Sequence, residues 1–219
     1  MNSPELSRRF YNEYGAKALE KRVDPAWTEA AVNELSGLIP PGSAVLDAGC
    51  GYGRIAIPLS RKGYDVTGID VSEVLIRAAK EKSSRASFRV ASMTDIPFPD
   101  NSFQAVIVMW SAFNELLHSR EQKTAILELY RVLSPQGLLF IDSFTYSPAS
   151  KEQIEAKERF GPENRISSGI AGAHYANPDF SHDRESYGRL LESAGIGIWE
   201  FSEGDFGGRS RQLVKIVKK

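Results

Sequence analysis

Apolar positions along this chain change their period repeatedly. Short runs of aliphatic and β-branched residues at 44–48, 64–69, 86–91, 103–110 and 138–144 are bounded by glycine, proline and serine, and read as strands. Between them, apolar residues recur at helical spacing over 53–62, 72–83 and from Ser119 to about Leu133, where Ser119-Arg120-Glu121-Gln122 has the form of a capping box. Strands alternating with helices predict βαβ units around a parallel sheet. The first forty residues read as helical. Asp24 is placed as an N-cap with Pro25 behind it, Trp27, Ala31, Leu35 and Leu38 follow at helical spacing, and Pro40-Pro41-Gly42 stops the helix. After the fifth strand the rhythm breaks. Residues 145–181 are polar with scattered glycines, and so long a stretch inside an α/β domain is expected to be functional. A helix at 183–194 closed by Gly195 follows, then strands at 197–203 and 211–218 joined by a glycine-rich loop.

The chemistry begins at the end of the first strand, where Val45-Leu46-Asp47-Ala48 runs into Gly49-Cys50-Gly51-Tyr52-Gly53. Glycines between a strand and a helix allow a tight turn and let a ligand approach the main chain. A pyrophosphate favours helix N–H dipoles without nearby negative charge, so Asp47 argues for a ligand with a cationic group instead. Asp70 ends the second strand, where an acid can accept hydrogen bonds from ribose hydroxyls. A nucleoside with a positively charged tail satisfies both acids, and S-adenosylmethionine, with its sulfonium and ammonium groups, is such a molecule. Two other readings stay open on the residues alone. Asp47 could cap the following helix, and a nicotinamide reductase would share the glycines and Asp70. Against the second, position 54 holds arginine where Gly-x-Gly-x-x-Gly needs glycine.

Four ordered segments, VLDAGCGYG (45–53), GIDVS (68–72), IPFPDNSFQAVIVMW (96–110) and LELYRVLSPQGLLFIDSF (127–144), resemble the class I S-adenosylmethionine-dependent methyltransferases. The resemblance covers about residues 40–145. It implies a Rossmann-like doubly wound sheet of about seven strands, mostly parallel with an antiparallel last strand, plus N-terminal helices. Within one domain it implies a helical lid (1–40), a cofactor-binding core (41–144), an acceptor-site cover (145–181) and a closing helix with a β-hairpin (182–219). S-adenosyl-L-methionine would be the cofactor and S-adenosyl-L-homocysteine the product. Asp47 would meet the methionine ammonium, while Gly49, Cys50, Gly51 and Gly53 would supply the backbone cradle, and Asp70 with Val71 the ribose end. The family commonly places an Asp after the third strand against the adenine amino group. Here that position is Ser92, with Met93 packing on the purine and Asp95 nearby as a substitute or a turn former. The usual Ser-Phe-Asp is Ser102-Phe103-Gln104, a second departure. Trp110 would line the methionine portion and Phe113 or Asn114 would face the acceptor, with a core role the alternative for both aromatics. Tyr11, on a helix with Phe10 and Tyr14, would close over the cofactor, or pack as part of a plain amphipathic helix.

The remaining composition bounds this picture. A formal net charge of -1 gives no footprint for nucleic acid, which leaves a small-molecule acceptor as the expectation. The lone cysteine, Cys50, excludes an internal disulfide and suits a reducing cytoplasm. No run reaches the roughly 20 apolar residues of a membrane span, and the N-terminus carries no apolar core of a secretory signal. His118, His174 and His182 lack metal-ligand spacing, so no metal is expected. His174, Tyr175 and His118 form the pool for a general base, with His174 and Tyr175 also candidate acceptor contacts. A monomer or homodimer is expected. The competing class is a non-enzymatic or regulatory S-adenosylmethionine-binding protein, since a methyl sulfonium needs positioning more than a catalytic side chain.

Overall fold

Alternation along the central strands sorts their side chains onto two faces, and in the computed structural model each face builds its own core. The structure describes residues 2–21, 23–144, 166–168, 178–180, 182–205 and 210–219. Strands β1 (Ala44–Ala48), β2 (Asp65–Asp70), β3 (Ser87–Val90), β4 (Phe103–Val108) and β5 (Leu133–Phe144) pair in parallel, in the spatial order β3-β2-β1-β4-β5. Val45, Ala105, Ile107 and Phe140 face helices α3 (Pro25–Leu38), α4 (Ala56–Arg61) and α5 (Glu73–Lys82). Leu46, Val106, Val108, Leu139 and Ile141 face α6 (Ser119–Val132) and α7 (Arg184–Ser193). Burial on both faces explains why these strands read as near-continuous apolar runs.

The sheet is completed by β8 (Trp199–Asp205) and β9 (Ser210–Val217). β9 lies antiparallel between β5 and β8, so the seven-stranded order is β3-β2-β1-β4-β5-β9-β8. The expected mixed sheet with an antiparallel last strand is therefore observed. The closing strands pair as far as Asp205↔Ser210, so Gly204, Asp205 and Ser210, expected in the connecting loop, belong to the strands. Within 145–181, where an irregular segment is expected, β6 (Ile166–Ser168) and β7 (Pro178–Phe180) form a separate antiparallel ribbon. The rest of that segment, with His174 and Tyr175, lies outside the described residues.

Several local expectations meet corrections. Asp24 does cap α3, its carboxylate accepting from Ala26 N–H at 2.9 Å, but the buried stripe is Ala31, Val32, Leu35 and Ile39, while Leu38 is 40% exposed. Tyr64 fixes the end of that helix by donating to the Ile39 carbonyl at 3.0 Å. The Ser119 capping box does not form. His118 occupies the N-cap without a side-chain bond, and Gln122 Nε2 donates to the Leu116 carbonyl at 2.6 Å instead. The residues between the expected helix and the strand at 138–144 sit inside β5, as an irregularity between the pairs Phe103↔Leu133 and Ala105↔Leu138, with Gln136 at φ 65°. Gln104, in place of the family's usual acid, accepts from Ala44 N–H at 2.7 Å and ties β4 to the start of β1. The strand order reverses between β1 and β4, and a crevice beyond their carboxyl ends is the usual place for a ligand in such sheets.

Candidate functional site

The glycine turn fills the β1 side of that crevice. Gly49, Gly51 and Gly53 take φ of 83°, 56° and 83°, a region that costs any L-residue with a Cβ. The Gly49 and Cys50 N–H groups both donate to the Ile69 carbonyl, at 2.8 and 2.9 Å, which binds the turn to β2. A Cβ on Gly49 would stand 2.6 Å from Ala112 Cβ, so the segment after β4 passes directly over this glycine. Cys50 points the other way. Its sulfur packs toward Gly68, and burial raises its thiol pKa, so only its backbone belongs to the crevice.

Two carboxylates flank the turn. Asp70 accepts from Gly51 N–H through Oδ2 and from Ser72 N–H through Oδ1, both at 2.9 Å. Each oxygen keeps acceptor capacity for a hydroxyl, and the capping of α5 falls to Ser72, which accepts from Leu75 N–H at 3.1 Å. Val71 is half-buried between them. Asp47 is only 1% exposed, and its Oδ2 has no hydrogen-bond partner. Burial first, then the charge of Asp70, pushes its carboxyl up to about 7, against the opposing pull of the Ala56 N–H and Arg54. The carboxylate supports the first residue of α4, and its second oxygen remains an orphan acceptor, the costly state of a buried polar group.

Helix α1 (Ser3–Tyr14) bridges the two walls of the crevice. On the α5 side, Asn12 Oδ1 accepts from Ser72 Oγ–H at 2.7 Å, its amide donates to Glu73 at 2.7 Å, and Arg8 Nε donates to the same carboxylate at 2.9 Å. On the β4 side, the Tyr11 hydroxyl donates to Glu115, and Ser3 Oγ both donates to Glu121 and accepts from Leu117 N–H. Tyr11 therefore sits at the mouth, with Phe10 in edge contact at 5.0 Å. At the adenine end Ser92 Oγ accepts from Thr94 N–H at 3.1 Å and shares a 2.7 Å bond with Thr94 Oγ1, so part of its capacity is spent on the turn. Asp95 is exposed, and Met93 Cε lies 3.6 Å from the Cβ position of Gly49.

Past β4 the backbone is strained. Trp110 and Ser111 take φ of 58° and 65°, two successive non-glycine residues in the left-handed region. Asp142 holds both, its Oδ2 accepting from Trp110 N–H at 2.8 Å and its carbonyl from Ser111 N–H at 3.0 Å. Arg211 completes the arrangement from β9, donating through Nε and Nη2 to Asp142 at 2.6 and 2.7 Å, with both side chains 1% exposed. Above Trp110 lies Arg54, its guanidinium carbon 3.6 Å from the ring centroid, with Arg211 4.9 Å and the Trp27 ring 6.3 Å from the same ring. Burial lowers the Arg54 pKa to about 10.

Phe113 is fully buried with its ring against His182 and Tyr187, which is the core role and leaves no face for an acceptor. Asn114 is buried beside it. Asp47, the glycines, Asp70, Met93 and Trp110 converge on the crevice. Asp142, Arg211, Arg54 and Asn12 were not anticipated as functional. Asp142 had a signal, as one acid inside the apolar run LLFIDSF, and Arg54 another, as a charge directly after the last glycine. Among the described residues no group of three or more His, Cys, Asp or Glu is arranged to hold a metal, and no helix is long and apolar enough to cross a membrane.

A family described as a methyltransferase domain matches residues 45–137. YqeM of Bacillus subtilis, named provisionally as a methyltransferase, is 34% identical over 119 residues, covering 53% of this chain and 45% of that protein. Demethylmenaquinone methyltransferase of Renibacterium salmoninarum is 31% identical over 120 residues, covering 55% and 48%. The chain spans about half the length of these relatives. The solved 1,6-didemethyltoxoflavin-N1-methyltransferase of Burkholderia thailandensis, with 1,6-didemethyltoxoflavin and S-adenosylhomocysteine bound, superposes with a TM-score of 0.71 over 98% of this chain and 88% of its own. At 16% identity that likeness shows the fold.

Proposed function

We propose that the chain is a class I S-adenosylmethionine-dependent methyltransferase and that it methylates a small-molecule acceptor. The orphan Oδ2 of buried Asp47, beside a glycine turn that admits a ligand to its main chain, is the observation that carries this reading. An acceptor atom left without a donor in the protein fits an ammonium from outside it. The Asp70 oxygens fit ribose hydroxyls, and Met93 fits an apolar purine face. Tyr11 would close the mouth from α1.

When bound, S-adenosylmethionine would supply an activated methyl group for transfer to a lone pair of the acceptor, leaving S-adenosylhomocysteine. What the protein supplies is alignment and exclusion of water. Trp110, fixed by Asp142, walls the β4 side. Ala112 passes over Gly49, and α1 spans the mouth. The small-molecule assignment draws on the near-neutral charge and on relatives and structural neighbours named for small acceptors, demethylmenaquinone and 1,6-didemethyltoxoflavin. Calorimetric titration with S-adenosylhomocysteine, S-adenosylmethionine and NADH tests the reading. Micromolar binding of the first two, lost in Asp70→Ala, supports it. Binding of NADH alone would mean that the roles given to Asp47 and Asp70 are wrong.

A further inference from the structure

We propose that Arg54, stacked on Trp110, is the receptor for a carboxylate inside the transfer site. The inference rests on the methyltransferase reading and adds a recognition element to it.

The first observation is that Arg54 has nothing to donate to. It is partly buried, and among the described residues its one directional partner is the Trp110 ring, 3.6 Å from the guanidinium carbon. Structural arginines in this protein are paired. Arg131 donates to Glu128, Asp100 and the carbonyls of Ile96 and Phe98, and Arg211 forks onto Asp142. A guanidinium withdrawn from water without acceptors is unfavourable, and stacking on an aromatic face compensates only part of that. Stacking also occupies the flat face and leaves the N–H edge directed in plane, the geometry that meets a carboxylate in a two-point bond.

The second observation is independent. The indole Nε1–H of Trp110 is buried without an acceptor. Two neighbouring donor groups are thus unmatched, and the acid next to them, Asp142, is already engaged by Arg211 and by Trp110 N–H. Two guanidiniums share the Trp110 ring, and of the two carboxylates near them Asp142 is ion-paired with Arg211, while Asp142 and Asp47 act on Arg54 only through space, without a hydrogen bond to it among the described residues. On the other side of the turn stands the orphan acceptor of Asp47. An acceptor there and donors here complement the ammonium and carboxylate of an amino-acid zwitterion, the end group of the methyl donor. An acidic acceptor molecule would present the same carboxylate chemistry from the opposite side.

The test compares wild type, Arg54→Met, which keeps a stem able to lie on Trp110, and Arg54→Lys, which keeps the charge without the fork. Each is titrated calorimetrically with S-adenosylhomocysteine and with 5′-methylthioadenosine, which retains the nucleoside and thioether but lacks the amino-acid end. Benzoate is then titrated into protein saturated with S-adenosylhomocysteine and followed by tryptophan fluorescence. If the donor's carboxylate is the ligand, Arg54→Met weakens S-adenosylhomocysteine at least tenfold, leaves methylthioadenosine within twofold, and Arg54→Lys recovers part of the loss. If an acidic acceptor is the source, S-adenosylhomocysteine is unchanged while benzoate quenches wild type and not Arg54→Met. Unchanged binding of both probes in Arg54→Met overturns the proposal and makes the arginine structural. A wild type that binds neither nucleoside overturns the methyltransferase reading first, and the receptor falls with it.

Discussion

If Asp47 meets the cofactor's ammonium as proposed, binding should depend on pH in the direction set by the raised carboxyl. The carboxyl is raised to about 7, by burial first and then by Asp70, while the Ala56 N–H and Arg54 oppose the shift. An ammonium is best met by the ionised form. That form is about 9% of the ligand-free protein at pH 6 and about 76% at pH 7.5, and the apparent dissociation constant scales inversely with it. S-adenosylhomocysteine should therefore bind roughly eightfold more tightly at pH 7.5 than at pH 6. Methylthioadenosine, without an ammonium, should show no such trend, and Asp47→Asn should bind S-adenosylhomocysteine weakly at both pH values. The same carboxyl acts on stability with a defined sign. Its folded pKa lies above its unfolded value of 3.8, so its contribution is most favourable at low pH and is lost as pH climbs from about 4 to about 7. The loss is at most about 4 kcal/mol, and Asp47→Asn should be the more stable protein at pH 7.5. Calorimetry at the two pH values, with urea melts beside it, checks both signs. A flat S-adenosylhomocysteine affinity across this range in wild type would refute the assignment of Asp47 to the ammonium.

Three further outcomes follow from particular contacts. Asp142→Leu strands Arg211 in a fully buried position and should cost about 3–5 kcal/mol in urea unfolding, while the double variant with Arg211→Met should recover most of that loss but not the Trp110 fluorescence of wild type. Gly49→Ala places a Cβ 2.6 Å from Ala112 Cβ at φ 83° and should cost about 1–3 kcal/mol together with cofactor affinity; Gly63→Ala, at φ 95° with nothing within 4 Å, should show the backbone cost alone. Lys218 Nζ donates to the carbonyls of Tyr130 and Leu133 at 2.8 and 2.7 Å and to Asn101 at 2.9 Å, so Lys218→Met should free the end of α6 and cost about 1–2 kcal/mol in the same melts, without changing cofactor affinity.

Much of the sheet was legible because its strands are buried on both faces, and their apolar runs leave little room for another reading. The glycine turn was legible because a positive φ and a close approach both demand the residue type that stands there. Side-chain hydrogen bonds were harder. Gln122 satisfies a carbonyl before α6 rather than a capping box, since a loop acceptor at Leu116 competes with the helix's own N-terminus. Phe113 stands three positions past Trp110 and reads as a site aromatic, yet the left-handed turn at Trp110 and Ser111 carries it into the core under His182 and Tyr187. That turn is held by Asp142, 32 residues further on, and Arg211, 69 residues beyond that. No window of local sequence contains all three.

The uneven legibility has a physical origin in what each half of the site must satisfy. In the proposed reading the donor half would meet a nucleoside through main-chain atoms and two acids on consecutive strand ends, so its constraints would fall within the short stretch from Asp47 to Val71. The opposite wall is assembled across the sheet from four chain segments, each giving one side chain: Arg54 from the turn after β1, Trp110 after β4, Asp142 from β5 and Arg211 from β9. A charge in such an assembly is interpretable only against its partners. Arg211 and Arg54 look alike in the sequence, yet one is neutralised by a buried acid, while the other has an aromatic face and, among the described residues, no hydrogen-bond acceptor. Specificity for whatever carboxylate enters this crevice then rests on the unpaired member, while the paired member keeps the Trp110 platform in place. Removing Arg211 should disturb the platform and the fold together, whereas removing Arg54 should leave the ligand-free fold at least as stable and change only what binds.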